Sequence, residues 1–376
     1  MQLRPDQLTA HLQKGLRSIY TLWGDEPLLV QEAADAIRAA ARAAGHTERQ
    51  VHTVSGAHYN WSGLLGASQA LSLFADKQII EIRIPSGKPG KEGSDALQRY
   101  CALNCASNIN DTVTLVTLPR LDGTQQKSGW FTALDGAGMT VKFDPIARAQ
   151  LPPWIAQRMA VQGQRVQGGE AGQRTLAFFA DRVEGNLLAA HQEIQKLGLL
   201  YPSGESAGEL SFEQIESAVL NVARYDVFKL GEAVLSGHVE RALRMLDGLQ
   251  AEGEAAVLVH WTLCEDIRSL KRVRDAISAG RPLPMALREA RVWGAKERLM
   301  ERAVPLFTDN AVAALLQAAQ VCDGLVKGLR HPDWPTDAWD GLKRLVLMTV
   351  QHTAAASASG KGRAASNPIP SLALTA

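Results

Sequence analysis

Two rhythms of apolar residues alternate through residues 1–145. Short, nearly continuous apolar runs mark strands at Ser18–Trp23, near Val51–Val54, and at Gln78–Ile84, Thr112–Leu118 and Met139–Phe143. Between them, helical periodicity covers Leu28–Ala44, Trp61–Phe74, a stretch through Leu97 and Leu103, and a stretch around Trp130–Leu134. Pro27 suits the first position of the first long helix, because its missing N–H would be unbonded there anyway, and Gly45 ends that helix. A Gly- and Lys-rich loop, Gly87–Gly93, separates the third strand from the next helix. Repeated β/α units of this kind predict a parallel sheet covered by helices on both faces.

The rhythm changes at Asp144-Pro145. No strand-like runs are expected beyond it. Leu151–Val161, Gln173–Val183 and Leu187–Leu197 read as short helices, with a break at Glu184-Gly185-Asn186. Pro202-Ser203-Gly204 opens a loop, and Ser211 with Gln214 has the spacing of a capping box. From residue 221 to about 352 the pattern is helical throughout, with Leu243, Leu246 and Leu249, and Leu263, Ile267 and Leu270, as core stripes. The Ala/Ser/Gly-rich stretch 353–376 is expected to be disordered. The expected organisation is a β/α domain over 1–145, a small helical domain over 146–220, a larger helical domain over 221–352, and a tail.

One helix breaks its own pattern. At about 100° per residue, Trp61, Leu64, Leu65 and Leu71 share one side of a wheel. Leu73 and Phe74 then lie over about 90° from that stripe. Two adjacent large apolar side chains off the core face suit insertion into another protein's pocket. The alternative is an early helix end, with the pair tucked under a loop.

Composition narrows the class. A chain of 376 residues, 46% hydrophobic and 21% charged, is globular and long enough for two or three domains. A formal net charge of +1 gives no whole-molecule pull toward nucleic acid or anionic membrane, so any DNA contact must be a local patch. The N-terminus lacks a signal-peptide core and no run is long enough to span a bilayer, so the expected location is the cytoplasm. Cys101, Cys105, Cys264 and Cys322 lack paired zinc-site spacing and are read as reduced, mostly buried thiols.

A β/α domain followed by a small helical domain and a helical bundle is the order found in AAA+ proteins, which invites a search for ATP chemistry. A phosphate loop needs glycines for close approach, a lysine for the β/γ-phosphates and a Ser or Thr for the metal. Here the turn after the first strand is Gly24-Asp25-Glu26-Pro27-Leu28-Leu29-Val30-Gln31, with two carboxylates and no lysine. The metal-binding acidic pair is missing after the third strand, at Ile82-Arg83-Ile84-Pro85-Ser86, and only Thr117 is polar near the end of the fourth. Lys88 and Lys91 lie in the Gly87–Gly93 loop without Gly-Lys-Ser/Thr order and after the wrong strand. No cofactor, metal or catalytic residue is therefore expected.

The same residues carry a family resemblance. Gly24-Asp25-Glu26-Pro27-Leu28-Leu29-Val30-Gln31-Glu32 resembles the degenerate loop of the delta subunit of bacterial DNA polymerase III. Gln69-Ala70-Leu71-Ser72-Leu73-Phe74-Ala75 is similar to that family's clamp-binding element. Trp130-Phe131-Thr132-Ala133-Leu134, Gln150-Leu151-Pro152-Pro153-Trp154-Ile155-Ala156 and Glu184-Gly185-Asn186-Leu187-Leu188-Ala189 with Glu193–Leu197 resemble its later landmarks, in register from about Leu3 to about Val350.

The resemblance implies an AAA+-like β/α domain, a helical lid and a helical collar. The function it implies is that of a clamp-loader subunit that grips the sliding clamp and wedges its ring open for loading onto primed DNA. Leu73 and Phe74 would be the wedge, with Ser72 and Leu71 shaping the approach. The partners would be the clamp (the beta subunit), ATP-binding gamma/tau-type and delta-prime-type subunits joined through the collar, and primed DNA. The chain would make no bond itself, although it belongs to a nucleotidyltransferase complex. Arg268, Lys271, Arg272 and Arg274 could touch phosphate or form a solvated helix face. Trp293, beside Arg291 and Lys296, suits stacking on an exposed base or a place in the collar core. Rival readings are a DNA-binding scaffold and an AAA+ ATPase with an atypical nucleotide site.

Overall fold

The computed structural model describes residues 1–56, 59–69, 77–106, 111–202, 208–220 and 222–359. They form two compact units, Met1–Asn221 and Val222–Ala376.

The first unit opens with β1 (Gln2–Leu3), α1 (Leu8–Lys14), β2 (Ile19–Gly24), α2 (Pro27–Ala43), β3 (Glu48–Thr53) and α3 (Trp61–Gln69). It continues with β4 (Gln78–Arg83), α4 (Gly90–Ala106), β5 (Thr112–Leu118), α5 (Gly123–Gln126), α6 (Gly129–Ala137) and β6 (Met139–Phe143). The six strands run parallel in the order β1-β6-β2-β5-β4-β3. Strand β2 is central and buried on both sides almost throughout, which is why it reads as a continuous apolar run. Strand β3 is at the edge, and its burial alternates residue by residue. One face of the sheet packs Tyr20, Leu22, Ile79 and Leu115 against Ile37 and Ala41 of α2. The other packs Ile80, Ile82, Val116 and Leu118 against Leu64 of α3, Leu97 and Tyr100 of α4, and Phe131 and Leu134 of α6. This is the expected α/β architecture, a parallel sheet covered by helices on both faces.

The unit ends with α7 (Leu151–Val161), β7 (Gln164–Val166), α8 (Gly169–Val183), α9 (Leu187–Leu200), β8 (Gly208–Leu210) and α10 (Phe212–Ala218). Strands β7 and β8 pair in parallel, which corrects the expectation that no strand follows Asp144-Pro145. At three residues each they are too short to show periodicity. Buried Gln164 holds the first in place, its amide donating to Leu197 O at 2.9 Å and Tyr201 O at 2.8 Å. The capping box of α10 is formed: Ser211 N–H donates to Gln214 Oε1 at 2.8 Å, and Gln214 N–H to Ser211 Oγ at 3.3 Å.

The second unit is helical: α11 (Leu230–Leu235), α12 (Val239–Ala251), α13 (Ala256–Ser278), α14 (Leu283–Glu289), α15 (Ala295–Ala303), α16 (Asp309–Val326) and α17 (Ala338–Ser359). Leu246, Leu249, Leu263, Ile267 and Leu270 sit in its core as expected, while Leu243 is half-buried and Met245 takes the inner position. Helix α17 extends through Ser359, so 353–359 are helical rather than part of a disordered tail. Buried Thr353 helps to hold them there, its hydroxyl donating to Val234 O at 2.8 Å. Residues 360–376 lie outside the described residues. No helix among the described residues is long and apolar enough to cross a membrane.

Candidate functional site

The turn from β2 into α2 occupies the place of a phosphate loop. Gly24 has φ +144°, and a Cβ there would lie 2.0 Å from Phe143 O on β6, so only glycine fits. Asp25 N–H then donates to the same carbonyl at 3.0 Å, which pulls the turn onto β6. Arg120, just after β5, reaches back to the Asp25 carboxylate at 3.1 Å. Glu26 is the residue before the first turn of α2, and only 8% of its surface is exposed. Burial pushes its carboxyl above the usual range; the Leu28 amide opposes the shift, and Asp25 and Glu32 add to it. Glu32 in turn receives both terminal nitrogens of Arg158 from α7, whose guanidinium lies 4.8 Å over the Trp154 ring. The helix N-terminus that would attract an anion is thus surrounded by carboxylates.

Helix α3 leads toward the predicted wedge. Trp61 and Leu64 are buried and Leu65 is half-buried, as the wheel predicts. Gly93 on α4 makes room for Trp61, since a Cβ there would come within 2.4 Å of the indole. Tyr59 meets Trp61 edge to face at 4.9 Å and hydrogen-bonds His52 at 2.8 Å, which anchors the start of α3 to edge strand β3. Leu71, Ser72, Leu73 and Phe74 lie outside the described residues.

The expected DNA contacts are split between α13 and the loop between α14 and α15. Carboxylates hold every basic residue of the α13 group. Arg268 and Arg272 pair with Glu265, Lys271 with Asp275 at 2.5 Å, and Arg274 with Asp309 at 2.7 Å. Trp293 is 64% exposed, which corrects the alternative of a buried collar tryptophan. Buried Val292 takes the inward place, while Arg291 at φ +58° and Gly294 at φ +66° turn the chain around them. Lys296 ties the start of α15 to Asp266 of α13. Cys101, Cys264 and Cys322 are buried, and burial pushes the last two up to about 11 and about 12. The Cys105 side chain lies outside the described residues.

Along 348 residues the chain is 30% identical to the DNA polymerase III subunit delta of Escherichia coli, covering 93% of this chain and 96% of that protein. The chain belongs to the DNA polymerase III delta subunit family. The family profile described as DNA polymerase III, delta subunit, matches residues 20–144. The Haemophilus influenzae DNA polymerase III subunit delta is 26% identical over 335 residues, 86% of this chain and 93% of that one. Among solved structures, a Bacillus subtilis DNA clamp loader delta protein aligns over 92% of this chain and 99% of its own at 16% identity, with a TM-score of 0.46.

In this delta-family chain the structure also reveals a charge cluster that sequence spacing does not show. Glu81 of β4 is 1% exposed and accepts from Arg38 of α2 at 2.6 Å, Arg49 of β3 at 2.7 Å and Arg83 at 2.9 Å. Burial alone would raise its carboxyl, but hydrogen bonds from Arg49, Arg38 and Arg83 outweigh burial and hold it at about 2. The Arg158–Glu32 and Arg120–Asp25 pairs were likewise hidden, since their partners are far apart in the chain. The only sequence signal was a glutamate between two isoleucines, Ile80 and Ile82, in β4.

Proposed function

We propose that this chain is the clamp-opening subunit of its loader, acting in the cytoplasm through Leu73 and Phe74. One observation carries the proposal. Trp61 and Leu64 of α3 are buried on the side the wheel assigns to the core, and on that wheel Leu73 and Phe74 fall off the stripe, within the run that resembles the family's clamp-binding element. Burying Leu and Phe in an apolar pocket contributes roughly 1.5–3 kcal/mol each. The energy that opens a ring comes only from binding its open form better than its closed form. ATP would act on the partner subunits, because the β2–α2 turn offers Asp25 and Glu26 where a phosphate would sit.

In this reading residues 146–220 act as the lid and the helices of the second unit as the collar that joins the other loader subunits. Primed DNA would meet that collar at exposed Trp293, with a base stacked on the indole. The α13 cations Arg268, Lys271 and Arg272 would contribute less, since contact with phosphate requires releasing their carboxylate partners.

The test is binding of the purified chain to the bacterial sliding clamp, with wild type beside Leu73→Ala/Phe74→Ala. Truncation at the centre of an interface costs about 2 kcal/mol or more per anchor, so the double variant should bind at least about a hundredfold more weakly with an unchanged melting temperature. Equal binding by the two proteins would move the clamp contact elsewhere. Absence of clamp binding combined with steeply salt-dependent DNA binding would favour the scaffold reading. Steady ATP hydrolysis by the pure chain would favour the ATPase reading.

A further inference from the structure

The N-terminal ends of β2, β4 and β5 border a cavity of about 480 Å3, at the opposite end of β2 from the β2–α2 turn. Its apolar side is built from Leu12, Leu16, Ala40 and Val113, and its cationic side from Lys14, Arg17 and Lys77. No carboxylate lines it among the described residues. Lys77 Nζ is fixed by Ala44 O at the end of α2, 3.1 Å away, so its position is set by the fold. Lys14 and Arg17 are exposed, and neither forms an ion pair among the described residues. Their uncompensated charge is felt nearby. After burial, Arg17 and Lys14 are the causes that push His11 below its usual pKa. The loop between them, Gly15-Leu16, keeps the rim on one side while Arg17 N–H donates to the buried Tyr20 hydroxyl at 2.9 Å.

We propose that this cavity is a second docking site, taking an acidic segment with an apolar side chain on the same partner protein that Leu73 and Phe74 engage. The inference rests on that clamp-binding reading. Lys77 follows Phe74 by three positions in the chain, so a partner bound at one is brought to the other. The apolar side favours a protein segment over a nucleic-acid backbone, which has charge for Lys14 and Arg17 but, between its phosphates, only polar sugars and no hydrocarbon side chain to lie against Leu12, Leu16 and Val113. Charge complementarity of this kind speeds encounter and fixes register, leaving most of the dissociation barrier to the apolar anchors.

The experiment measures clamp binding by the full chain at several salt concentrations. The variants are Lys14→Glu/Arg17→Glu, Leu73→Ala/Phe74→Ala, and Arg288→Glu/Arg330→Glu, which makes the same change in net charge on the second unit. The cavity variant should weaken binding about tenfold or more at low salt, mainly by slower association, and flatten its salt dependence, while melting stays unchanged. The Arg288/Arg330 variant should bind like wild type. If the cavity variant matches wild type in affinity and salt slope while Leu73→Ala/Phe74→Ala still abolishes binding, the second site is wrong and the clamp reading stands. If wild type does not bind the clamp at all, both fall. If the cavity variant keeps clamp binding and loses binding to primed DNA, the occupant is nucleic acid and the proposal is overturned.

Discussion

Glu81 shows how much depends on a single side chain in this sheet. A carboxylate in the middle of β4 would be costly to bury, and Arg38, Arg49 and Arg83 make it tolerable by supplying charged donors from three elements. Because the folded carboxyl sits at about 2, below its ordinary value near 4.5, its pairing stabilises the fold above pH 4.5 and is lost as pH falls toward 2. A thermal melt series from pH 6 to pH 2 should lose of order 3 kcal/mol more in wild type than in Glu81→Gln. At neutral pH Glu81→Gln should be less stable by about 3 kcal/mol, since it leaves buried Arg38 without its counter-charge. Parallel melting curves across the pH range would contradict the assignment. The sequence marks Glu81 only as an acid among isoleucines and gives no sign of its distant partners. Arg38 lies 43 residues from Glu81 and Arg49 lies 32 away, and only the β3–β4 pairing and the packing of α2 bring them together.

At the scale of elements, periodicity served long segments and failed short ones. The apolar runs at β5 and β6 coincide with the strands found, because most of their residues are buried and their threonines fit a strand. Strands β1, β7 and β8 were invisible: two or three residues cannot display a period, and Gln164 is held by hydrogen bonds rather than apolar contact. The core side of α3 was legible from Trp61 and Leu64 because their spacing matches the helix. The turn after β2 was legible as lacking phosphate-binding residues, whereas Arg120 closing on Asp25 depends on the neighbouring position of β5 and was not. The sequence alone did not show whether Trp293 is exposed, because one tryptophan between a valine and a glycine has no face to declare, and its 64% exposure makes it available to a partner. Trp293→Ala should lower the affinity of the assembled loader for primed DNA about fivefold or more without changing its melting temperature. An unchanged affinity would remove the base contact and leave the indole to a protein neighbour.

The whole molecule comprises a sheet-based unit whose β2–α2 turn carries Asp25 and Glu26 in place of phosphate-loop residues, and a helical unit with its own core. A formal charge of +1 agrees with a subunit that meets its partners through local patches rather than a global field. On the proposed function, binding alone, without nucleotide chemistry in this chain, would open the clamp. The direct measurement uses a sliding clamp carrying a fluorescent pair across one ring interface, mixed with saturating purified chain and no ATP. The pair should separate on binding, and Leu73→Ala/Phe74→Ala should abolish the change. Tight binding with the interface still closed, or opening only when ATP is added to this chain alone, would contradict it.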